Sequence, residues 1–199
     1  IIHVAVEGVY MGHIVIADEL KPDAAATIAQ LKAMGVQQTV MLTGDRHDVG
    51  QQVARELHID QVAAELMPAD KVAHVEQLMC QKRAGGSLLF VGDGINDAPV
   101  LARADVGIAM GGLGSDAAIE AADVVLMDDK PSKVVRAISL ARQIIAIAHQ
   151  NVAFAIGVKV AVLVLATFGW ASMWMAVFAD VGVTCLAVLN AMRTLRLKG

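Results

Sequence analysis

Two rhythms of apolar and polar positions divide the chain. From residue 36 to residue 127, short continuous apolar runs such as "TVML", "LLFV", "VGIAM" and "VVLM" alternate with segments whose apolar positions recur every three or four residues. The runs predict strands buried on both faces, and the intervening segments predict helices. The first residues read differently: Ile2 to Ile16 alternate around Gly8, the pattern of a β-hairpin. A connector from Asp18 to Pro22 leads into a helix ending at Gly35. Strand "QQTVMLTGD", helix "RHDVGQQVARELHI", short strand "QVAAEL" and helix "PADKVAHVEQLMCQKR" follow, the last with Pro68 near its start. Then come strand "GSLLFVGDG", a short helix "NDAPVLARA", and strands "DVGIAMG" and "DVVLM" separated by a helix of small residues. Continuously apolar strands alternating with helices predict a parallel sheet covered on both faces.

The rhythm changes at Ser132, where a long helical pattern begins. "NVAFAIGVKVAVLVLATF" and "MWMAVFADVGVTCLAVLNAM" are each long enough to cross a bilayer. Gly169 to Ser172 separate them, so the expected arrangement is a tight helical hairpin. From His149 to Asn190 the charged residues are Lys159 and Asp180 alone. Arg136 and Arg142 precede the hairpin and Arg193, Arg196 and Lys198 follow it, which places both ends on the cytoplasmic side. Trp170 and Trp174 sit at the turn, where an interfacial aromatic belt is expected. A hydrophobic content of 56% agrees with a soluble part joined to a membrane part. A net charge of −4 without a basic face argues against nucleic acid as a partner. Cys80 and Cys185 lack CxxC spacing, so neither a disulfide framework nor a zinc ribbon is readable.

Two strand ends carry polar clusters: Thr43-Gly44-Asp45, and Gly92-Asp93-Gly94-Ile95-Asn96-Asp97. Ligands of open parallel sheets bind outside the carboxyl ends of the strands, so both clusters are expected to face one crevice. The Thr43 hydroxyl and the Gly44 amide suit phosphoryl oxygens. Asp93 and Asp97 offer hard oxygen ligands for Mg²⁺. Lys71, near a helix start, suits the charge of a transferring phosphoryl group. A TGD tripeptide alone is ordinary turn chemistry, whereas GDGxND at a strand end is far more specific. Gly111-Gly112-Leu113-Gly114 lacks a following GK[ST] and reads as a plain strand-to-helix loop.

"MLTGD", "MPADK", "VGDGINDAPVLARADVGIAMG" and "IEAADVVLM", in that order, resemble the phosphorylation domain of P-type ATPases, a branch of the haloacid-dehalogenase-like fold. The resemblance implies a partial α/β haloacid-dehalogenase-like domain followed by a two-helix transmembrane hairpin. It implies that Thr43 and Lys71 contact an acyl phosphate and that Asp93 binds Mg²⁺ with Asp97 close by. It further implies that Asn96 orients the phosphate, that Asp45 lies near the nucleotide, and that ATP is the substrate. The implied organisation is residues 1–17 as the tail of a nucleotide-binding domain, 18–131 as the C-terminal part of a phosphorylation domain and 132–148 as a connecting helix. Residues 149–192 then form the hairpin and 193–199 a basic cytoplasmic tail. The family's nucleophile, the Asp of Asp-Lys-Thr-Gly-Thr, does not occur in these 199 residues; Asp129-Lys130 is followed by Pro131. The chain therefore holds half of a phosphorylation site, and the rest of the ATPase chain is an expected partner.

Counted from the turn, Lys159 and Asp180 each lie about ten residues away, roughly 15 Å deep at 1.5 Å per residue. Equal depth on antiparallel helices predicts that they meet, and an intramembrane acid is a functional site by default. "AIGVK" and "FADVG" resemble the last two helices of the zinc, cadmium and lead branch, which implies Asp180 as a ligand of the transported Zn²⁺, Cd²⁺ or Pb²⁺ and Lys159 as its counter-charge. The copper branch's Tyr-Asn pair is absent, since no Tyr precedes Asn151. Cys185, one turn beyond Asp180, is a secondary candidate. The alternatives are a non-catalytic remnant, or a membrane-tethered phosphatase whose nucleophile would have to be Asp18 or Asp23; both precede a helix instead of ending an apolar strand.

Overall fold

A computed structural model describes residues 2–14, 19–92, 95–111, 116–170 and 172–196. The chain divides into two compact units, Ile1–Lys133 and Val134–Gly199.

The first unit opens with β1 (Ile2–Val6) and β2 (Val9–Ile14), an antiparallel hairpin with an irregularity between Val4 and Ala5. The turn is made by Glu7 and Gly8 at φ +50° and +80°, a left-handed pair suited to tight hairpins. Next come α1 (Ala24–Ala33), β3 (Val40–Leu42), α2 (His47–Leu57), β4 (Gln61–Ala63) and α3 (Pro68–Gln81). Pro68 suits the first turn of α3 because the N–H it lacks has no helical partner there. The unit continues with β5 (Leu89–Gly92), a 3₁₀ turn (Ile95–Asp97), α4 (Ala98–Leu101), β6 (Val106–Met110), α5 (Asp116–Ala121) and β7 (Val124–Leu126).

All sheet pairings after the hairpin are parallel, as the apolar runs predict. They form two sheets among the described residues, β3–β4 and β5–β6–β7. Both β3 and β5 are hydrogen-bonded along one edge. Burial on both faces is consequently confined to β6, where Ile108 is buried and Ala109 packs with Leu101, Ala118, Phe90 and Val125. In β5, Leu89 and Val91 remain exposed, which corrects the expectation that every apolar run is a two-sided core strand.

Carboxylates tie the loops that start the strands. Asp105, just before β6, accepts the Leu88 N–H at 2.7 Å and the Lys82 ammonium at 2.6 Å; first the amide and then the cation hold its carboxyl below the ordinary range. Asp60, just before β4, accepts from Lys32 and from the Thr39 N–H and hydroxyl. Asp23, before α1, accepts the Ser132 N–H at 3.0 Å.

A 36-residue helix, α6 (Ser132–Thr167), leads into the second unit. At about 1.5 Å per residue its length of roughly 54 Å exceeds a ~30 Å hydrocarbon core, so only part of it can span one. Thr167 is followed by a turn in which Gly169 takes φ +76° and the Trp170 N–H bonds the Leu165 carbonyl. The return path is α7 (Met173–Val177), capped by the Ser172 hydroxyl on the Met175 N–H, then a π-helical turn (Phe178–Gly182), α8 (Val183–Ala191) and a 3₁₀ turn (Met192–Arg196). In the π turn the Val183 N–H bonds the carbonyl of Phe178, five residues back. An uninterrupted helix is predicted here from composition; the observed path differs at the turn that carries Asp180. Both segments are long and apolar enough to cross a membrane, with mean hydropathies of 1.7 and 1.8. Their surface is apolar, with Phe154, Leu163, Phe168, Trp170 and Trp174 exposed.

Candidate functional sites

The phosphate-type cluster of the first unit is assembled from loops at the carboxyl ends of β3, β4 and β5. The Thr43 N–H continues the parallel ladder onto Ala63 O, and the chain turns at once. Leu66 N–H then bonds Thr43 O at 3.1 Å and Glu65 N–H bonds Asp45 O at 2.8 Å, clipping the β3 loop to the loop after β4. Glu65 sits at φ +58°, a conformation uncommon for a residue with a side chain, and that turn aims its amide at Asp45. The Thr43 hydroxyl donates to Asp45 Oδ2 at 2.7 Å and accepts the Asp45 N–H at 3.1 Å. Gly44 lies close to this clip: a Cβ there would come within 3.3 Å of Leu66 O.

The clipped loop feeds α3. The Asp70 carboxylate accepts the Met67 N–H at 3.0 Å, which fixes the helix start and brings Lys71 into its first turn. Lys71 Nζ reaches Asp97 Oδ1 at 2.9 Å, joining the β4–α3 loop to the loop after β5. Both side chains are largely withdrawn from water, at 18% and 13% exposure, so the pair is far less screened than the other ion pairs of this unit. Asp97 in turn rests against Gly92, where a Cβ would fall 2.9 Å from Asp97 Cβ and 3.0 Å from Oδ2. The bare glycine is the cradle for that carboxyl group. Asn96, on the same 3₁₀ turn, is exposed at the rim.

Among the sequence-selected residues, Thr43, Gly44 and Asp45 share one loop, and Lys71 and Asp97 form one ion pair. Asp93 lies outside the described residues, as do Asp18 and the glycine loop at 112–115. Asp23 precedes α1, and its carboxylate accepts the N–H of Ser132 at the start of α6 instead of standing at a strand tip. Hard carboxylate oxygen at Asp97, seated in a glycine cradle beside a lysine, fits a magnesium-dependent phosphoryl site.

In the second unit Lys159 Nζ and Asp180 Oδ1 are 3.1 Å apart. Asp180 occupies the π turn, and its own carbonyl accepts the Thr184 hydroxyl at 2.7 Å. A π turn inserts a residue into the helical repeat and recurs at functional positions. The two charges are legible in the sequence, whereas the turn is not. Among the described residues no group of three or more His, Cys, Asp or Glu stands together.

An asparagine pair not expected from the sequence links α6 to α8: Asn190 Nδ2 donates to Asn151 Oδ1 at 2.7 Å. The sequence carries a partial signal, because 151 and 190 flank the turn on the two sides of 159 and 180, eight and ten residues farther out.

Residues 2–105 match the haloacid dehalogenase-like hydrolase family. The whole chain is 59% identical, over 198 residues, to a cadmium, zinc and cobalt-transporting ATPase of Bacillus subtilis (strain 168), of whose length it covers 28%. A zinc-transporting ATPase of Synechocystis sp. is 58% identical over 97% of this chain and 27% of its own. The crystal structure of a zinc-transporting PIB-type ATPase in an E2·Pi state superimposes with a TM-score of 0.84 and 40% identity, over 97% of this chain and 31% of that one. The chain thus spans under a third of the length of each of these three relatives. The chain belongs to the haloacid dehalogenase-like hydrolases, and along its whole length it is similar to one stretch of heavy-metal-transporting ATPases.

Proposed function

We propose that the chain contributes half of the phosphorylation site and part of the ion site of an ATP-driven pump that exports zinc, cadmium or lead. The observation that carries this reading is the Lys159–Asp180 pair, 3.1 Å apart within an apolar helical hairpin, on a chain whose other unit holds a phosphate-type cluster. Each charge alone in a membrane helix costs a few kcal/mol, and pairing or a bound cation relieves that cost.

In the soluble unit the Thr43 hydroxyl and the Gly44 N–H hold phosphoryl oxygens as the γ-phosphoryl of ATP passes to an aspartate outside these 199 residues. Lys71 neutralises charge on the transferring group while it bridges to Asp97, and Asn96 orients the phosphate. Asp45 faces the nucleotide. Asp93 and Asp97 would hold Mg²⁺, which supplies charge neutralisation at the phosphoryl oxygens. Hydrolysis of the resulting acyl phosphate resets the site. Residues 1–17 belong to the nucleotide domain, 18–131 to the phosphorylation domain, 132–148 to a connecting helix and 193–199 to a cytoplasmic tail. The hairpin, 149–192, lies in the plasma membrane with both ends on the cytoplasmic side, supported by the flanking Arg136, Arg142 and Arg193.

In the membrane, Asp180 ligates the divalent ion and the Lys159 ammonium moves aside. When the ion leaves, Lys159 returns to the carboxylate, so an internal cation drives release in place of a returning counter-ion. The test is metal-stimulated ATP turnover of Asp180→Ala in the full-length protein that carries this sequence. Turnover is expected to fall by roughly tenfold or more, the equivalent of losing about 1.4 kcal/mol of ion binding. Unchanged turnover sinks the reading.

A further inference from the structure

A second polar contact crosses the hairpin, far from the ion pair. Asn151 Nδ2 donates to the carbonyl of Ala187 at 3.0 Å, Asn190 Nδ2 donates to Asn151 Oδ1 at 2.7 Å, and Arg193 NH1 donates to Asn190 Oδ1 at 3.1 Å. The bonds run in one direction, from guanidinium through two amides to a helix carbonyl. Each asparagine therefore gives one bond and takes one, and both are half-buried. The cation at the head of the series strengthens the bonds behind it. Sliding one helix along the other would break these bonds and leave half-buried amides without their partners, so the contact resists such a slip.

The position of this contact matters. Asn151 precedes Lys159 by eight residues (159 − 151), and Thr167, the end of α6, follows Lys159 by eight (167 − 159). The ion pair thus lies between the end of α6 at Thr167 and the asparagine contact, about 12 Å from each along α6 and about 15 Å from Asn190 along the return helix (190 − 180 = 10). Lys159 and Asp180 are themselves exposed, at 61% and 74%, on side chains with rotamer freedom. They do not hold a register by themselves, and their bond must break whenever an ion takes Asp180. A slip of a single residue moves one helix by about 1.5 Å, enough to spoil a 3 Å contact.

We propose that Asn151 and Asn190 are positioning residues for the ion site. They hold α6 and α8 in the register that keeps Lys159 opposite Asp180 while the ion enters and leaves. This inference rests on the reading of Asp180 as an ion ligand.

The experiment uses the full-length protein and three readouts: the Zn²⁺ concentration for half-maximal ATPase stimulation, the maximal rate, and phosphoenzyme formed from inorganic phosphate without zinc. Asn151→Ala and Asn190→Ala are each expected to raise the half-maximal Zn²⁺ concentration by roughly five- to twentyfold, the loss of one interhelical hydrogen-bond contact. Phosphoenzyme formed from phosphate should stay within about twofold of the unaltered protein, because that step depends on the cytosolic unit. In a Lys159→Ala background, Asn151→Ala should add less than about twofold, because residues acting through one another are not additive. An unchanged half-maximal concentration, a parallel loss of phosphoenzyme, or full additivity with Lys159→Ala each overturns the proposal. Should the alanine variants not accumulate, Arg193→Gln, which leaves both amides in place, is expected to give a shift of about two- to threefold; no shift overturns the proposal as well. Asp180→Ala in the same series separates the two readings. A zinc response unaffected by Asp180→Ala discards the ion-ligand reading, whereas a response lost in Asp180→Ala but untouched in Asn151→Ala discards the register role alone.

Discussion

Single side chains do different work in the two units. Asp60 shows the structural kind most clearly. The Lys32 ammonium, then the Thr39 hydroxyl and amide, hold its carboxyl at about 2, against an ordinary 3.8. Because the folded-state value is depressed, the stabilisation is complete above the unfolded value near 4 and is lost as pH falls toward 2. Asp60→Asn should therefore flatten the acid side of the stability curve between about pH 4 and 2 while changing its slope little at neutral pH. Thermal midpoints by circular dichroism across that range check this, and an unaltered acid slope refutes it. Lys71 and Asp97 differ in being withdrawn from water and in joining two loops at strand tips, the placement expected of residues that handle a charged substrate.

At the scale of elements, close backbone approach decides which glycines matter. β6 is the central strand of its sheet, and at Gly107 a Cβ would fall 2.6 Å from the carbonyl oxygen of Leu101, a backbone atom that cannot swing away. Gly107 also exchanges hydrogen bonds with Asp123, 2.9 Å in each direction, which fixes the start of β7. Gly107→Ala is expected to destabilise the first unit by about 1–3 kcal/mol, the usual cost of overpacking. Urea unfolding of the variant tests it, and an unshifted midpoint contradicts the close approach. The π turn is the corresponding feature of the hairpin: it places Asp180 in a widened stretch where the helical hydrogen-bond ladder is already interrupted.

At the scale of the whole molecule, the chain joins a unit that carries most of its charged residues to a unit whose surface is largely apolar. The basic residues on both flanks of the hairpin lead to a topological prediction. In right-side-out vesicles a membrane-impermeant maleimide should label Ser172→Cys at the turn from outside, and Lys198→Cys only after permeabilisation. Labelling of both positions from one face contradicts the proposed orientation.

Much of this was legible in the residues themselves. Helical rise and hydropathy are local properties, so counting along the hairpin brought Lys159 opposite Asp180, and apolar runs ending in TGD and GDGxND located strand tips. Hydrogen bonds between residues far apart in sequence depend on side-chain direction and strand neighbours, which no window of sequence contains. Tertiary structure alone therefore decided that Lys71 closes on Asp97, 26 positions away, and that the parallel strands form two sheets among the described residues. It also decided that Asp180 sits in a π turn and that Asn151 meets Asn190. Each of these outcomes was settled by which groups found partners in space, a competition that local periodicity does not register.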